Sequence, residues 1–234
     1  MISLYCETST LLGSVAIHNN GQLLSYEELF RQNSHSDSLN GLITSCLSKA
    51  NLSLKEIDIF GSGLGPGSFT GIRISVNTIK TLSYIHQKPC YGIDSLTNLA
   101  LTNQPHVGER QPFICGINAF KNMIYFARFQ FIENKLETLT PAKVVRVQSL
   151  GDEVQSNHLF IGDAFAAYQN YIESKFSHLF SRNNNILDYP TARICQFTQS
   201  QLTLEKQHWS SLLPLYIRAS EAEENLNGIK YQPL

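Results

Sequence analysis

The sequence lacks a surplus of charge of either sign. Lys and Arg together number 18 and Asp and Glu number 19, so the formal net charge is −1. A protein that holds nucleic acid by itself usually carries a basic surplus or stripe, because phosphate contacts supply most of the affinity. The composition therefore argues against an autonomous nucleic-acid-binding protein. We expect any RNA partner to be held mainly by another subunit.

Long apolar runs and closely paired cysteines are also missing. No apolar run approaches the length of about 18 residues that a membrane-spanning helix needs, and the amino terminus has no basic stretch of the kind that opens a secretory signal. The five cysteines show no CxxC spacing, which is typical of reduced thiols rather than of a disulfide framework. We expect a cytoplasmic protein with no membrane association.

Histidines at metal-binding spacing are a third absence. The seven histidines include no HxH, HxxxH or HExxH pattern, whereas zinc and iron sites usually contain such close pairs. We therefore expect no metal site.

The sequence does contain enough apolar material for a substantial core. Its 234 residues are 42% hydrophobic and 16% charged, a composition that argues against disorder and fits one large domain or two small ones. A polar segment with Pro and Gly at residues 102–111 is the best candidate for a boundary. We predict an amino-terminal lobe at residues 1–103 and a carboxy-terminal lobe at residues 112–234.

The hydrophobic periodicity predicts the order βββαβα in both halves. In the first half, the predicted elements are strands at 2–7, 14–18 and 22–29, a helix after residue 37, a strand at 57–64 and a helix at 70–86, followed by a strand at 90–93 and a short helix near 95–101. In the second half, they are strands at 113–117, 123–131 and 135–147, a helix near 148–154, a strand at 159–161 and a helix at 164–176. Residues 182–211 show only a predicted helix between 192 and 202.

Two βββαβα lobes suggest an α/β fold of the actin-like (ASKHA, ribonuclease H-like) kind, which actin, sugar kinases and heat-shock ATPases share. In that architecture, strand hairpins approach the phosphates of a nucleotide. A generic two-lobed α/β protein without a ligand is the alternative.

The most distinctive local feature is the glycine-rich loop at residues 65–71. Between a strand and a helix, such a loop can present backbone N–H groups to an anion, or it can serve only for a tight turn and a close helix approach. It has neither the lysine of a Walker loop nor the GxGxxG spacing. In the first hairpin, Glu7, Thr8 and Ser9 are the candidate nucleotide-binding residues. The alternative is that Glu7 ends a strand and that the hydroxyls satisfy a turn.

The glycine-rich loop and its sequence context resemble the TsaB (YeaZ) family, whose members are needed to make threonylcarbamoyladenosine beside the tRNA anticodon. The resemblance rests on Gly65-Pro66-Gly67-Ser68-Phe69-Thr70-Gly71-Ile72-Arg73-Ile74, Glu7-Thr8-Ser9-Thr10, His35-Ser36 with Leu39 and Ile43, Gly92 with Ser95-Leu96, Gly162-Asp163, and Pro214-Leu215-Tyr216-Ile217-Arg218. These segments span nearly the whole chain.

The resemblance implies a non-catalytic partner or activator subunit that supports a TsaD-type transferase together with a TsaE-type ATPase. It implies that the chain is not an enzyme on its own and touches tRNA only through the complex. It also implies that the chain can form a homodimer when alone. No cofactor is expected, apart from a nucleotide at a partner interface.

Two other function classes remain as alternatives, an autonomous nucleotide-binding kinase or ATPase and a hydrolase or peptidase. The family often opens its second lobe with an Ile-Asp-Ala-Arg-like stretch, where this chain has neutral Asn118 and bulky Phe120. No Gly-Gly dipeptide for holding adenosine is present, so independent ATP turnover is not expected. Ser68 does not lie in a GxSxG motif, and the sequence therefore assigns no catalytic residue.

The helix after the glycine-rich loop carries apolar residues on two sides. Ile72, Val76 and Ile79 share one face, whereas Ile74 and Ile85 fall nearly opposite. Two apolar faces indicate contact on both sides of a helix, either with the preceding helix of the same lobe or with a partner. Family members are thought to dock on the transferase through helices of the first lobe. The interface candidates are therefore His35, Leu39, Ile74 and Ile85, with the Ile72 face predicted to meet the sheet.

Overall fold

The computed structural model of the chain describes residues 1–30, 36–154, 156–194 and 205–219. The chain divides into two compact units. The first unit comprises Met1–Thr102 and Pro190–Leu215, and the second comprises Asn103–Tyr189 and Tyr216–Leu234. Among the described residues, none of the helices has both the length and the apolar character needed to span a bilayer.

The first unit contains one five-stranded sheet and three helices. The strands are β1 (Ile2–Glu7), β2 (Leu12–Asn19), β3 (Gln22–Phe30), β4 (Ile59–Gly63) and β5 (Cys90–Ile93), and the helices are α1 (Ser36–Ala50), α2 (Phe69–His86) and α3 (Ser95–Thr102). The strand order is β3-β2-β1-β4-β5. Strands β1, β2 and β3 pair antiparallel, whereas β4 and β5 join in parallel, as two consecutive crossover helices require.

The core of the first unit lies between the sheet and the helices α1 and α2. On β1, alternate residues Leu4 and Cys6 enter this core, as the period of two of a strand dictates. The apolar stripe Ile72, Val76 and Ile79 of α2 packs against them, with exposures of 1%, 1% and 0%. The predicted orientation of this stripe toward the sheet is therefore confirmed. Burial of each such side chain contributes about 1.5–3 kcal/mol.

The first unit ends its first segment at Thr102, close to the predicted residue 103, but a later segment returns to it and corrects the predicted extent of the second lobe. The sequence predicts that all residues from 112 to 234 belong to the second lobe, but Pro190–Leu215 packs with the first unit. The Ala192 N–H donates to Ser14 Oγ at 2.9 Å, and Leu215 N–H donates to the Leu64 carbonyl at 2.8 Å. Leu212 is fully buried in the first core. These contacts join residues far apart in sequence, so local periodicity carried no sign of them.

The second unit repeats the same sheet order. Its strands are β6 (Phe113–Asn118), β7 (Met123–Ile132), β8 (Lys135–Arg146), β9 (His158–Ile161) and β10 (Phe180–Ser181), and its helices are α4 (Leu150–Glu153), α5 (Asp163–Ala167) and α6 (Gln169–Phe176). The order β8-β7-β6-β9-β10 has the same pattern of antiparallel and parallel pairs as the first sheet. The predicted two-lobed α/β fold with repeated βββαβα order is confirmed.

Local departures from the predicted elements are few. The single helix predicted at 164–176 is two helices, because Tyr168 adopts a non-helical φ of −124° and ψ of 21°. Strand β10 has only two residues, too short for a periodic signal. Of the helix predicted between 192 and 202, a short 3-10 turn at Ala192–Ile194 is seen, and the remainder lies outside the described residues.

Candidate functional site

The turn after β1 holds a buried carboxylate. Glu7 ends the strand with no exposed surface. Its Oε1 accepts the Ser9 N–H at 2.9 Å, which ties the carboxylate to its own turn. Its Oε2 accepts from Asn98 Nδ2 at 3.1 Å and from Ser95 Oγ at 3.3 Å, both on α3. Glu7 therefore links the first hairpin to the helix after β5.

Burial controls the protonation of this carboxyl group. Removal from water raises the pKa of Glu7 above its ordinary value, and the hydrogen bonds from Ser9, Ser95 and Asn98 oppose that rise. Space for the group comes from Gly63, because a Cβ there would lie 2.2 Å from Glu7 Oε2. A side chain at position 63 would displace the carboxylate from its partners.

The hydroxyl and carbonyl groups of this turn contact the glycine-rich loop. Thr8 Oγ1 donates to the Gly71 carbonyl at 2.7 Å, and Ser68 N–H donates to the Ser9 carbonyl at 2.7 Å. A Cβ at Gly71 would lie 2.0 Å from the Thr8 carbonyl oxygen, so only glycine permits this approach. The loop thus packs on the hairpin backbone, and the backbone N–H of Ser68 at the start of α2 is already bonded to it.

Ser68 has a structural role at the same place. It is the N-cap of α2, and its hydroxyl oxygen accepts the Gly71 N–H at 3.3 Å. Capping by serine is a common way to satisfy the first N–H groups of a helix. This geometry matches a cap rather than the nucleophile of a hydrolase.

The corresponding turn of the second unit, after β6, is built differently. The Asn118 N–H donates to Asp163 Oδ1 at 2.9 Å, and Asn118 Oδ1 accepts both the Phe120 N–H at 2.9 Å and the Tyr168 hydroxyl at 3.0 Å. Burial, first of all, raises the pKa of Asp163 to about 6, with the nearby Asp188 adding to the rise. Phe120 itself is 62% exposed.

The interface candidates fall into different environments. Leu39 is only 1% exposed and belongs to the first core, so its side chain is inaccessible at the surface; it lies on the face of α1 that meets the sheet. Ile74 is half-buried and packs against the same core, whereas Ile85 is 63% exposed. Ile74 and Ile85, which are predicted to share an outer face, thus differ in exposure. His35 lies outside the described residues.

Two surface features accompany the outer face of α2. Tyr84 is 56% exposed and makes an edge-to-face contact with Trp209, with ring centroids 5.2 Å apart. A shallow groove of about 270 Å³ runs between α1 and α2. Its lining is formed by Asn40, Asn77, Thr78, Thr81 and Leu82.

Sequence reasoning selected Glu7, Thr8 and Ser9 and missed their partners. The structure brings these three together with Ser95 and Asn98, which lie 88 and 91 residues from Glu7. No local pattern identifies Asn98, because its signal is a long-range hydrogen bond. Within the described part of the chain, no group of three or more His, Cys, Asp or Glu residues is placed to hold a metal ion.

Comparison with known proteins places the chain among tRNA-modification proteins. A family model described as "TsaD: tRNA N6-adenosine threonylcarbamoyltransferase" matches residues 30–226. The tRNA threonylcarbamoyladenosine biosynthesis protein TsaB of Escherichia coli (strain K12) is 26% identical over 231 residues, which are 95% of this chain and 96% of that protein. TsaB of Bacillus subtilis (strain 168) is 22% identical over 226 residues, with the same coverage of both chains.

Two further comparisons concern the fold and the transferase. The solved structure of YeaZ from Pseudomonas aeruginosa superposes with a TM-score of 0.75 at 20% identity, covering 92% of this chain and 99% of that one. A tRNA N6-adenosine threonylcarbamoyltransferase of Cyanothece sp. is 33% identical over only 82 residues, which are 35% of this chain and 24% of that protein. The chain belongs to the TsaD family, and the relatives that it matches along nearly its full length are named TsaB.

Proposed function

We propose that this chain is the non-catalytic partner subunit of a TsaD-type transferase, in the complex that forms threonylcarbamoyladenosine in tRNA. The observation that carries the proposal is the match to proteins named TsaB over 95% of the chain and 96% of their length. Proteins named as the transferase match only 35% of the chain and 24% of their own length. The chain thus corresponds to the whole of the first kind of protein and to a fraction of the second.

The geometry of the two hairpin turns supports the non-catalytic part of the proposal. In the first turn, the Thr8 hydroxyl is bonded to Gly71 and Glu7 is fully buried, so these groups serve the fold. In the second turn, bulky Phe120 occupies the tip. We propose that the chain has no resident cofactor and that a nucleotide binds only where it meets a partner.

The proposal includes further partners and a location. A TsaE-type ATPase completes the complex, tRNA is held through the complex as a whole, and the isolated chain pairs with a second copy of itself. The complex acts in the cytoplasm. The near balance of 18 basic and 19 acidic residues supports shared rather than autonomous tRNA binding.

We place the partner interface on the outer face of α2. Ile85 and Tyr84 expose 63% and 56% of their surfaces side by side on this helix. Aromatic and aliphatic anchors of this kind are typical of the centre of a protein interface. Because Ile74 is half-buried in the core, the exposed end of the helix is the stronger candidate for the contact.

The test compares charged substitutions on the two faces of α2. Ile85→Glu should abolish co-purification with the TsaD-type subunit and leave the melting temperature nearly unchanged. Val76→Glu should unfold the first unit, because it places a carboxylate in a core position that is 1% exposed. Ile74→Glu should lower both stability and partner binding.

Leu24→Glu provides a matched control, since Leu24 is an exposed apolar residue on β3 rather than on α2. It should change neither the melting temperature nor partner binding. Retention of the partner by the Ile85→Glu protein would show that α2 is not the interface.

A further inference from the structure

The turn between β6 and β7 presents the most exposed phenylalanine, tyrosine or tryptophan ring in the described part of the chain. Phe120 is 62% exposed, ahead of Tyr84 at 56% and Phe30 at 51%. An exposed ring at the tip of a turn contributes nothing to the core. Its face is available for stacking on another planar group.

The backbone of this turn is strained and tightly held. Phe120, Lys121 and Asn122 have φ values of 57°, 50° and 59°, three consecutive non-glycine residues in the left-handed region. Such a conformation is unfavourable for residues with a side chain and persists only where the surroundings enforce it. The backbone that carries the ring is therefore held in one conformation.

Several hydrogen bonds enforce the conformation. The Phe120 N–H is bonded to Asn118 Oδ1 at 2.9 Å, and the Phe120 carbonyl accepts the Met123 N–H at 3.0 Å. The Asn122 carbonyl accepts the Val147 N–H at 3.0 Å, which ties the turn to the end of β8.

Three basic residues lie in this turn or on segments that pair with it or bond to it. Lys121 is its neighbour in the turn, and Arg146 lies opposite Met123 in the β7–β8 register. Arg218 Nη1 donates to the Ala119 carbonyl. The carboxylate of Asp163 accepts the Asn118 N–H, two residues before Phe120.

An aromatic ring among cations is the combination that binds unpaired nucleotides. Bases stack on the ring, while Lys and Arg contact the phosphates beside them. We propose that Phe120, with Lys121, Arg146 and Arg218, forms a docking surface for the single-stranded loop of a tRNA. The inference rests on the proposed function and deepens it, because it gives this subunit a direct contact with the RNA.

The test measures tRNA affinity in the reconstituted complex with the TsaD-type subunit, using an unmodified, fluorescently labelled tRNA transcript. Phe120→Asn removes the ring, and asparagine tolerates the left-handed conformation. We expect it to weaken tRNA binding about tenfold, the size of a lost base stack. Phe120→Trp keeps an aromatic ring at this position and should bind tRNA with the affinity of the wild type. Lys121→Gln should reduce the slope of log affinity against log salt by about one.

Phe30→Asn is the matched control, because Phe30 is an exposed ring in the first unit. It should leave tRNA affinity unchanged. All the variants should still co-purify with the TsaD-type subunit.

The outcomes separate this inference from the proposed function. Unchanged tRNA affinity in the Phe120→Asn complex would overturn the docking surface and leave the subunit role intact. A Phe120→Asn protein that loses the TsaD-type subunit but binds tRNA normally would show a protein-binding surface instead. A wild-type chain that binds neither the TsaD-type subunit nor tRNA would overturn both proposals.

Discussion

The first hairpin turns of the two units occupy equivalent places in the same sheet order, yet one is closed and the other open. In the first unit, Glu7, Thr8 and Ser9 are at most 1% exposed, and the glycine-rich loop packs on their backbone. In the second unit, Phe120 is 62% exposed at the tip of a left-handed turn. A repeated topology thus does not impose a repeated use of its turns.

The difference follows from the residues after β4 and β9. After β4, the loop ending at Gly71 lets α2 approach the Thr8 carbonyl. After β9, the chain enters the five-residue helix α5 directly through Gly162. The Asp163 carboxylate there accepts the N–H of Asn118, at the end of β6. The groups of the closed turn are bonded within their own unit, whereas the Phe120 side chain of the open turn is exposed.

The largest expected effect comes from filling the close approach in the closed turn. Gly71→Ala places a methyl group 2.0 Å from the Thr8 carbonyl oxygen, which we expect to lower the free energy of unfolding by about 3 kcal/mol. Gly41→Ala is the control, because a Cβ there meets nothing within 4 Å. Because position 41 lies in the middle of α1, this substitution should raise the free energy of unfolding by about 0.5–1 kcal/mol. Urea unfolding measures the stability of both variants. Equal changes in the two variants would contradict the close packing of Gly71 on the Thr8 carbonyl.

The carboxyl group beside the open turn gives a smaller, pH-dependent effect. The pKa of Asp163 is raised from 3.8 to about 6, so the folded state binds the proton more tightly than the unfolded state. Its stability contribution is complete below pH 3.8 and is lost as the pH rises through 6. We expect the wild type to lose about 2 kcal/mol relative to Asp163→Asn between pH 4 and pH 7.

The measurement is the free energy of unfolding of both proteins across that range. If the difference in the free energy of unfolding between the two proteins does not change with pH, the pKa of Asp163 is not raised by folding. In the closed turn, burial also raises the pKa of Glu7. We therefore expect the wild type to lose stability relative to Glu7→Gln as the pH rises, as it does relative to Asp163→Asn.

The smallest expected effect concerns backbone strain in the open turn. Lys121 has a φ of 50°, and Lys121→Gly should relieve the unfavourable conformation and stabilise by about 1 kcal/mol. Lys80→Gly is the matched control within the helical backbone of α2, where glycine should destabilise by about 1 kcal/mol. Thermal unfolding of the two variants should therefore shift in opposite directions, and a shift in the same direction would argue against strain.

Local patterns were sufficient to predict the strands of both sheets except the two-residue β10. Alternation placed β1 at residues 2–7, and the apolar stripe through Val76 oriented α2 correctly, because each signal lies within one element. Features that join distant segments were missed. The return of Pro190–Leu215 to the first unit and the bond from Asn98 to Glu7 depend on tertiary contacts.

The site residues show the same division. The place of Leu39 on the first helix makes it an interface candidate, but its burial depends on how that helix packs against the sheet. The sequence predicts one shared face for Ile74 and Ile85, because an ideal helix puts them close in angle. Their exposures differ because Ile74 packs against the core and Ile85 does not.

The most direct measurement of the central claim is reconstitution of tRNA modification from purified proteins. Unmodified tRNA and an activated threonylcarbamoyl donor would be incubated with the TsaD-type subunit, the TsaE-type ATPase and the cofactors they require, with or without this chain. Threonylcarbamoyladenosine would be quantified by mass spectrometry. We expect formation only when this chain is present, and none when this chain is the only protein added. Equal formation without the chain, or modification by the chain alone, would contradict its assignment as a required, non-catalytic subunit.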